Sequence, residues 1–167
     1  DARVPPSAMQ AYQSADQRGE LTVHAVLDQQ TFGHGAAPKP LEPVAAYDQR
    51  VADYASANTY RKAIKFFLDG VPTASRSALM LDDYTVDDKH PEPTKGMQMI
   101  PTETLFDAVA AFDKAGYLIK IHTAGDGSVR LALDAIEHAR NQNGHGGLPI
   151  SLAHAGYVHE SDIPRFK

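Results

Sequence analysis

Residues 117–137 read YLIKIHTAGDGSVRLALDAIE, and this stretch decides the fold class. Its first seven residues are rich in β-branched and aromatic side chains, which is typical of a buried strand. The strand ends on His122, and a turn with two glycines follows. Beyond the turn, Val129, Leu133 and Ile136 recur at helical spacing on one side. The stretch therefore predicts a strand, a tight turn and a helix, which together make one βα unit.

The same alternation of helix and strand is predicted along the rest of the chain. Helices are expected at residues 5–19, 43–58, 102–116 and 128–142, and another begins near Ser161. Strands are expected at residues 21–27, 62–70, 117–123 and 148–155. Ser7 is expected to cap the first helix, and Gly19 to end it.

Strict alternation of helices and strands predicts a parallel sheet. Three of the four strands are apolar on both faces, as a parallel sheet covered by helices requires. A complete (β/α)8 barrel needs roughly 250 residues, and this chain has 167. The fold class is therefore α/β with parallel strands, and the sheet is either a partial TIM-barrel-like segment or a small open sheet.

Two segments are predicted to be loops. Residues 31–40 are rich in glycine and proline. Residues 70–101 contain four prolines and few periodic apolar positions. A loop of this length inside a compact domain is usually functional or disordered. We expect residues 70–101 to be a long active-site loop within a single domain that spans residues 1–167.

The composition excludes several classes of protein and site. A net charge of −5 argues against a nucleic-acid partner and against an anionic membrane surface. The chain has no cysteine, which excludes disulfides, thiolate ligands and a cysteine nucleophile, and leaves the compartment open. The chain starts at Asp1 without methionine and stops at Lys167 inside a predicted helix. We therefore expect a piece of a larger protein.

Two histidines are candidate metal ligands because each follows a predicted strand. Ligands in parallel α/β folds collect at the carboxyl ends of strands, where His122 and His154 both fall. Imidazole suits zinc and related divalent metals. The alternative is that each histidine is an ordinary strand-end residue that is satisfied by a hydrogen bond. Their spacing in the sequence leaves both interpretations open.

Lys65 lies inside an apolar strand, where a charge is costly to bury. One interpretation is that its ammonium group reaches solvent or pairs with Asp69. The other is that burial lowers the pKa of Lys65, so that the neutral amine acts as a nucleophile or reacts with carbon dioxide. A carbamylated lysine is effectively a carboxylate and is able to bridge two metal ions.

Several segments resemble those of one protein family, in the same order along the chain. Residues 64–81, IKFFLDGVPTASRSALML, resemble the K-x-F-x-D-G segment of the amidohydrolase superfamily, in the family called amidohydrolase 3 or YtcJ-like. Residues 119–137 resemble its H-x-x-G-D segment, and residues 148–166 resemble its E-H-A segment. Residues 11–27 are similar to its G-E-L-T strand. The chain therefore resembles an internal fragment, about strands three to six of the barrel.

The resemblance implies a metal-dependent hydrolase on a (β/α)8 barrel. Such an enzyme uses metal-activated water to cleave C–N bonds outside peptides, in amides, formamides or carbamates. The resemblance assigns His122 and His154 as metal ligands at strands five and six, and Lys65 as a carbamylated ligand at strand four. The expected cofactor is one or two divalent ions, most simply zinc. The expected partner is a small amide-type substrate.

Three further residues are candidates for a role in the site. Asp69 and Asp126 belong to the resembling motifs and are candidate catalytic residues, and Asp126 is equally suited to cap the helix that follows it. Arg76, in the long loop, is a candidate for binding a substrate carboxylate or carbonyl, or else a solvated surface residue. The turn around Gly125 also has the glycines of a phosphate-binding turn, but it lacks the P-loop pattern.

Departures from the family pattern keep a second class of function open. Ala153 replaces the acid of E-H-A, and His24 stands at the usual arginine. The H-x-H pair of strand one and the aspartate of strand eight are not found in this sequence. The alternative is therefore an inactive α/β scaffold fragment, which folds alone or pairs with a second copy to cover its sheet edges, or else a small binding domain.

Overall fold

The computed structural model describes residues 4–31, 41–59 and 62–166. The α-helices are α1 (Pro6–Gln17), α2 (Val44–Tyr54), α3 (Thr102–Lys114) and α4 (Asp126–Asn143), and a 3-10 helix spans Glu160–Arg165. The strands are β1 (Gln29–Gln30), β2 (Ala63–Phe67), β3 (Leu118–Thr123) and β4 (Ile150–His154). The predicted loop at residues 31–40 lies, apart from Thr31, outside the described residues. No helix in these ranges is long and apolar enough to cross a membrane.

The four strands form one parallel sheet in the order β1-β2-β3-β4. A doubly wound sheet reverses its strand order part-way across, whereas a barrel adds each strand beside the previous one. The sequential order seen here is that of a barrel. The predicted fold class, α/β with parallel strands in a partial barrel, is therefore confirmed.

The hydrophobic core lies between one face of the sheet and the helices. Strand side chains alternate between the two faces, and Ile64, Phe66, Ile119 and Ile121 all point into this core. Phe112 of α3 is fully buried at its centre and makes edge-on contacts with three other rings. Those rings belong to Tyr47, Phe66 and Tyr117. The opposite face of the sheet is thus left to carry the polar residues of β2 and β3.

The strand predicted at residues 21–27 is wrong. The backbone here bonds to other parts of the chain: the N–H of Ala25 donates to the Asn58 carbonyl, and the N–H of Val4 donates to the Asp28 carbonyl. Leu27 packs with Met9 in a small cluster beside α1. The alternating pattern therefore reflects a segment that packs across α1, and β1 begins only afterwards.

Two predictions at helix ends also need correction. Ser7 does not cap α1, because the helix starts at Pro6 with Pro5 as its N-cap and no side-chain cap. Proline at the first helical position is well suited to this role, since its missing N–H has no partner there in any case. The helix expected near Ser161 is a 3-10 helix, whose N-cap is His159.

We predict that Phe112→Ala lowers the free energy of unfolding by about 3–5 kcal/mol, because it leaves a cavity where three aromatic rings meet. Phe166, which is half exposed, offers a matched control, and Phe166→Ala should change stability by less than about 0.5 kcal/mol. Urea unfolding of the two variants measures both values. Equal losses would contradict this assignment of the core.

Candidate active site

The strand register brings Lys65 and His122 to the same face of the sheet. Lys65 pairs with Lys120 across β2 and β3, and Phe67 pairs with His122. Because side chains alternate along a strand, these four residues share the face opposite the helices. His122 lies at the carboxyl end of β3, where parallel α/β folds place their chemistry.

His154 reaches His122 through a break in the alternation of β4. His154 is in register with Thr123, which would place it on the helix side of the sheet. Its backbone is left-handed, with φ of 77°, and that of Ala155 is also left-handed, with φ of 42°. The ring of His154 instead lies 4.6 Å from the ring of His122, centroid to centroid. Left-handed backbone in a residue other than glycine is strained, and such strain clusters at functional sites.

The imidazole of His122 is oriented by contacts to one of its nitrogens. Nε2 lies 2.9 Å from the Gly70 carbonyl oxygen and 3.4 Å from Oδ1 of Asp69. Because both partners are acceptors, Nε2 carries the proton in the neutral ring. Nδ1 therefore carries the lone pair and is the nitrogen able to bind a metal.

Lys65 is 4% exposed. Burial lowers the pKa of its ammonium group, the nearby charge of Lys120 lowers it further, and Asp28 opposes the shift. The predicted alternative of a pair with Asp69 is wrong, because no ion pair joins these two residues. The Asp28 carboxylate is instead paired with Nζ of Lys120 at 2.7 Å. Lys65 is thus a buried amine that loses its proton more easily than an exposed lysine does.

The three candidate ligands interact electrostatically. Burial lowers the pKa of the His154 imidazole, and the charges of His122 and Lys65 lower it further, while Asp69 raises it. His122 and Lys65 therefore both disfavour the charged form of His154.

The carboxylate of Asp69 is fully buried and accepts hydrogen bonds from two separate segments. The N–H groups of Ala124 and Gly125 donate to it at 3.0 and 2.9 Å, from the turn between β3 and α4. The N–H of Leu79 donates at 3.0 Å, from the long loop. Asp69 therefore joins the end of β2, the end of β3 and the loop, and its predicted catalytic role stays a prediction.

Residues 78–81, here called the strap, run directly over the first turn of α4. Asp126 does not cap this helix, because its N-cap is Gly125 and no side chain caps it. Instead, Oδ1 of Asp126 accepts from the N–H of Leu81 at 2.9 Å. A Cβ atom at Gly125 would meet the carbonyl oxygen of Leu79, so only glycine allows this approach. The catalytic role of Asp126 stays a prediction.

The strap also fills the place where a phosphate would bind. The Leu79 carbonyl accepts the N–H of Ser128 at 3.2 Å, in the first turn of α4. This turn is the part of a helix that binds phosphates. Its N–H group is already satisfied by the strap, which argues against the phosphate-binding interpretation.

Arg76 is held within the long loop. Its guanidinium donates to the Thr85 carbonyl at 2.7 Å and to Oδ2 of Asp87 at 2.6 Å. Its backbone is left-handed, with φ of 45°. The side chain is only partly exposed and lines a groove of about 350 Å³, so it is not a freely solvated residue. The other lining residues include Ser75, Ser77, His90, Thr94 and Met97. Substrate binding by Arg76 stays a prediction.

Two groups that contact the candidate ligands were not among the predicted site residues. The ring of Phe67 lies 5.3 Å from the ring of His122, and Nζ of Lys65 lies 5.3 Å from the centroid of Phe67. The alternation of β2 points to Phe67, since it lies two residues after Lys65 on the same face. The Gly70 carbonyl, by contrast, is a backbone group that no residue type reveals.

Comparison with known proteins identifies the family. The sequence model of the amidohydrolase family matches residues 4–167. The chain belongs to the amidohydrolase family. The resemblance seen in the separate motifs is therefore confirmed over nearly the whole length of this amidohydrolase chain.

Solved structures support the fold of this amidohydrolase. Uncharacterized metal-dependent hydrolases from Pyrococcus furiosus and from Pyrococcus horikoshii OT3 each superpose with a TM-score of 0.70 at 20% sequence identity. Each match covers 95% of this chain and 29% of the hydrolase chain. No curated protein matches the chain in sequence. At this identity the likeness shows the fold, and the chain spans less than a third of either hydrolase.

The donor groups at this end of the amidohydrolase sheet fit a catalytic metal only with the help of Lys65. Among the described residues, no group of three or more His, Cys, Asp or Glu side chains is placed to hold a metal ion. Catalytic zinc sites use three protein ligands and leave one position open. His122 and His154 supply two imidazoles, and a carbamylated Lys65 would add oxygen ligands. The described side chains therefore supply two imidazoles, and the third ligand stays a prediction.

We predict that Ala155→Gly raises the free energy of unfolding by about 0.5–1 kcal/mol, because glycine adopts left-handed backbone without strain. Ala153→Gly, in the regular part of β4, should lower it by about 0.5–1 kcal/mol, because glycine weakens an ordinary strand. Chemical denaturation measures both changes. Losses of similar size in the two variants would argue that the backbone at Ala155 is not strained.

We predict that Lys65→Met raises the free energy of unfolding by about 1 kcal/mol at pH 7, because it replaces a buried charge with an apolar chain. Because folding lowers the pKa of Lys65, the unfolded chain binds more protons than the folded chain between that lowered pKa and the usual 10.5. Wild-type stability should therefore rise with pH toward that value, and Lys65→Met should lose this rise.

The register partner of Lys65 provides the control for this prediction. Lys120→Met leaves the buried Asp28 carboxylate without its cation, so stability should fall by about 1–2 kcal/mol. Urea unfolding at pH 7 and pH 9.5 measures both variants. If Lys65→Met destabilises the chain as much as Lys120→Met does, Lys65 is a structural residue.

Proposed function

We propose that this chain forms part of a metal-dependent hydrolase that cleaves C–N bonds outside peptides, in amides, formamides or carbamates. The observation that carries the proposal is the 4.6 Å separation of the His122 and His154 rings at the carboxyl end of a barrel-type sheet. The buried Lys65 lies on the same face as His122, two residues before Phe67, which is the register partner of His122. Membership of the amidohydrolase family supports the reaction class. The metal dependence named for the two structurally similar hydrolases supports the cofactor.

In this proposal the two imidazoles and Lys65 hold one or two divalent ions, with zinc the best fit to imidazole ligands. A bound divalent metal supplies Lewis-acid chemistry, which activates water and polarises a carbonyl. His122 presents Nδ1, since Nε2 faces two acceptors. Burial lowers the pKa of Lys65, which eases formation of the neutral amine, the form that reacts with carbon dioxide to give a carbamate.

The long loop supplies the wall against which a small substrate would lie. Ser128 and Asp126 hold the strap through backbone groups, so this part of the loop is fixed close to the candidate ligands. The groove lined by Arg76 lies within the same loop. In this proposal Arg76 contributes to substrate binding by shaping that groove, because its guanidinium is already bound to Asp87.

The second candidate is a non-catalytic α/β scaffold. It is favoured by the absence of a three-membered His, Cys, Asp or Glu cluster from the described residues. It predicts that the two histidines have no shared ligand. The 4.6 Å separation of their rings favours the hydrolase instead. Pairing with a second copy of the chain stays a proposal of the scaffold alternative.

We predict that the purified chain binds about one zinc ion after dialysis, and that His122→Ala and His154→Ala each weaken zinc binding at least about tenfold. Elemental analysis gives the stoichiometry, and competition with a chromophoric chelator gives the affinity. His145→Ala, at an exposed position, should leave both values unchanged. Full zinc affinity in either strand-end variant would exclude that histidine from the site.

The hydrolase assignment needs a test of turnover as well as of metal binding. In the full-length protein, His122→Ala should lower the zinc content. It should also lower the rate at which N-acyl, N-formyl or N-carbamoyl amines are hydrolysed, to a similar extent. Zinc binding without hydrolysis of any of these substrate classes would favour the scaffold alternative.

A further inference from the structure

Asp69 and Asp126 both anchor the strap, but only one of them contacts a candidate ligand. Asp69 accepts from Leu79 and Asp126 accepts from Leu81, so each carboxylate holds one end of the same short segment. Asp69 also approaches Nε2 of His122 at 3.4 Å. Substitutions at Asp126 should affect only the strap, whereas substitutions at Asp69 should affect both the strap and His122. Comparing the two residues therefore separates these effects.

The surroundings of Nε2 favour one tautomer of His122. With the proton on Nε2, the N–H donates to the Gly70 carbonyl at 2.9 Å, and Oδ1 of Asp69 lies 3.4 Å from the same nitrogen. With the proton on Nδ1, the Nε2 lone pair would face two acceptors, which repel it. The Gly70 carbonyl is the nearer acceptor, and the negative charge of Asp69 adds to the preference.

Asp69 also fixes the backbone on either side of this contact. The carboxylate is fully buried and accepts the N–H groups of Ala124 and Gly125, directly after β3. The residue itself directly precedes Gly70, whose carbonyl is the nearer acceptor. The same side chain therefore sets both the position of the acceptor and the position of the strand end that carries His122.

We propose that Asp69 is a positioning residue, which holds His122 in the Nε2–H tautomer and so presents Nδ1 to the metal. The part of this inference that concerns the metal rests on the proposed function, whereas the tautomer does not. Partners that orient a metal-binding histidine in this way typically change metal affinity by about 10–100-fold when they are removed.

The test compares Asp69→Asn with Asp126→Asn. Long-range ¹⁵N–¹H NMR of the imidazoles reports the tautomer of His122 in the metal-free chain. Wild type and Asp126→Asn should show the Nε2–H tautomer, and Asp69→Asn should show a mixture. Zinc affinity should fall about 10–100-fold in Asp69→Asn and by less than threefold in Asp126→Asn. Hydrogen exchange of the strap amides should increase in both variants.

Each possible result decides a different point. Equal effects of the two substitutions on tautomer and zinc affinity would overturn the proposal, since Asp69 would then act only on the strap. An Nδ1–H tautomer in the wild-type chain would also overturn it, even if Asp69→Asn fails to fold. A wild-type chain that shows the expected tautomers but binds no zinc would contradict zinc binding by this chain alone and leave the effect of Asp69 on the tautomer supported.

Discussion

The candidate site depends on the hydrogen bonds that the buried carboxylate of Asp69 accepts. An ionised carboxylate inside a protein is stable only when several donors replace its water. Here the donors are the N–H groups of Leu79, Ala124 and Gly125, which come from two segments far apart in sequence. The charge is therefore satisfied only when the long loop and the β3–α4 turn meet at the end of β2. The arrangement around His122 follows from this requirement.

Lys65 is also a buried ionisable group, but in the described part of the chain its charge is not compensated by an ion pair. It is nearly as buried as Asp69, yet no carboxylate pairs with it among the described residues, and burial disfavours its charged form. The strained backbone at His154 and Ala155 lies at the same end of the sheet. Residues that destabilise a fold tend to be retained where activity needs them. The buried Lys65 and the strained backbone each destabilise the fold, and both lie near His122. This is a physical reason to place the chemistry there.

Much of the framework was predictable because its patterns are local. The apolar faces of α3 and α4 and the β-branched run before His122 each indicate one structure, and parallel strands bring His122 and His154 to a common edge. The strand predicted at residues 21–27 failed because alternation also arises in a segment that packs across a helix. The turn of His154 toward His122 was not predictable, since the sequence has no glycine at residues 154 and 155 to indicate left-handed backbone. The contacts of Arg76 depend on the fold of the whole loop.

The strap is held by its backbone, and this has a consequence for divergence within the family. The bonds that fix it run through the N–H groups of Leu79 and Leu81 and the carbonyl of Leu79. Any residue other than proline offers the same N–H, so substitutions at the partly exposed residues 79–81 would keep these bonds, whereas Ala78 is fully buried. The course of this part of the loop is therefore set by its backbone and not by the identity of those three side chains.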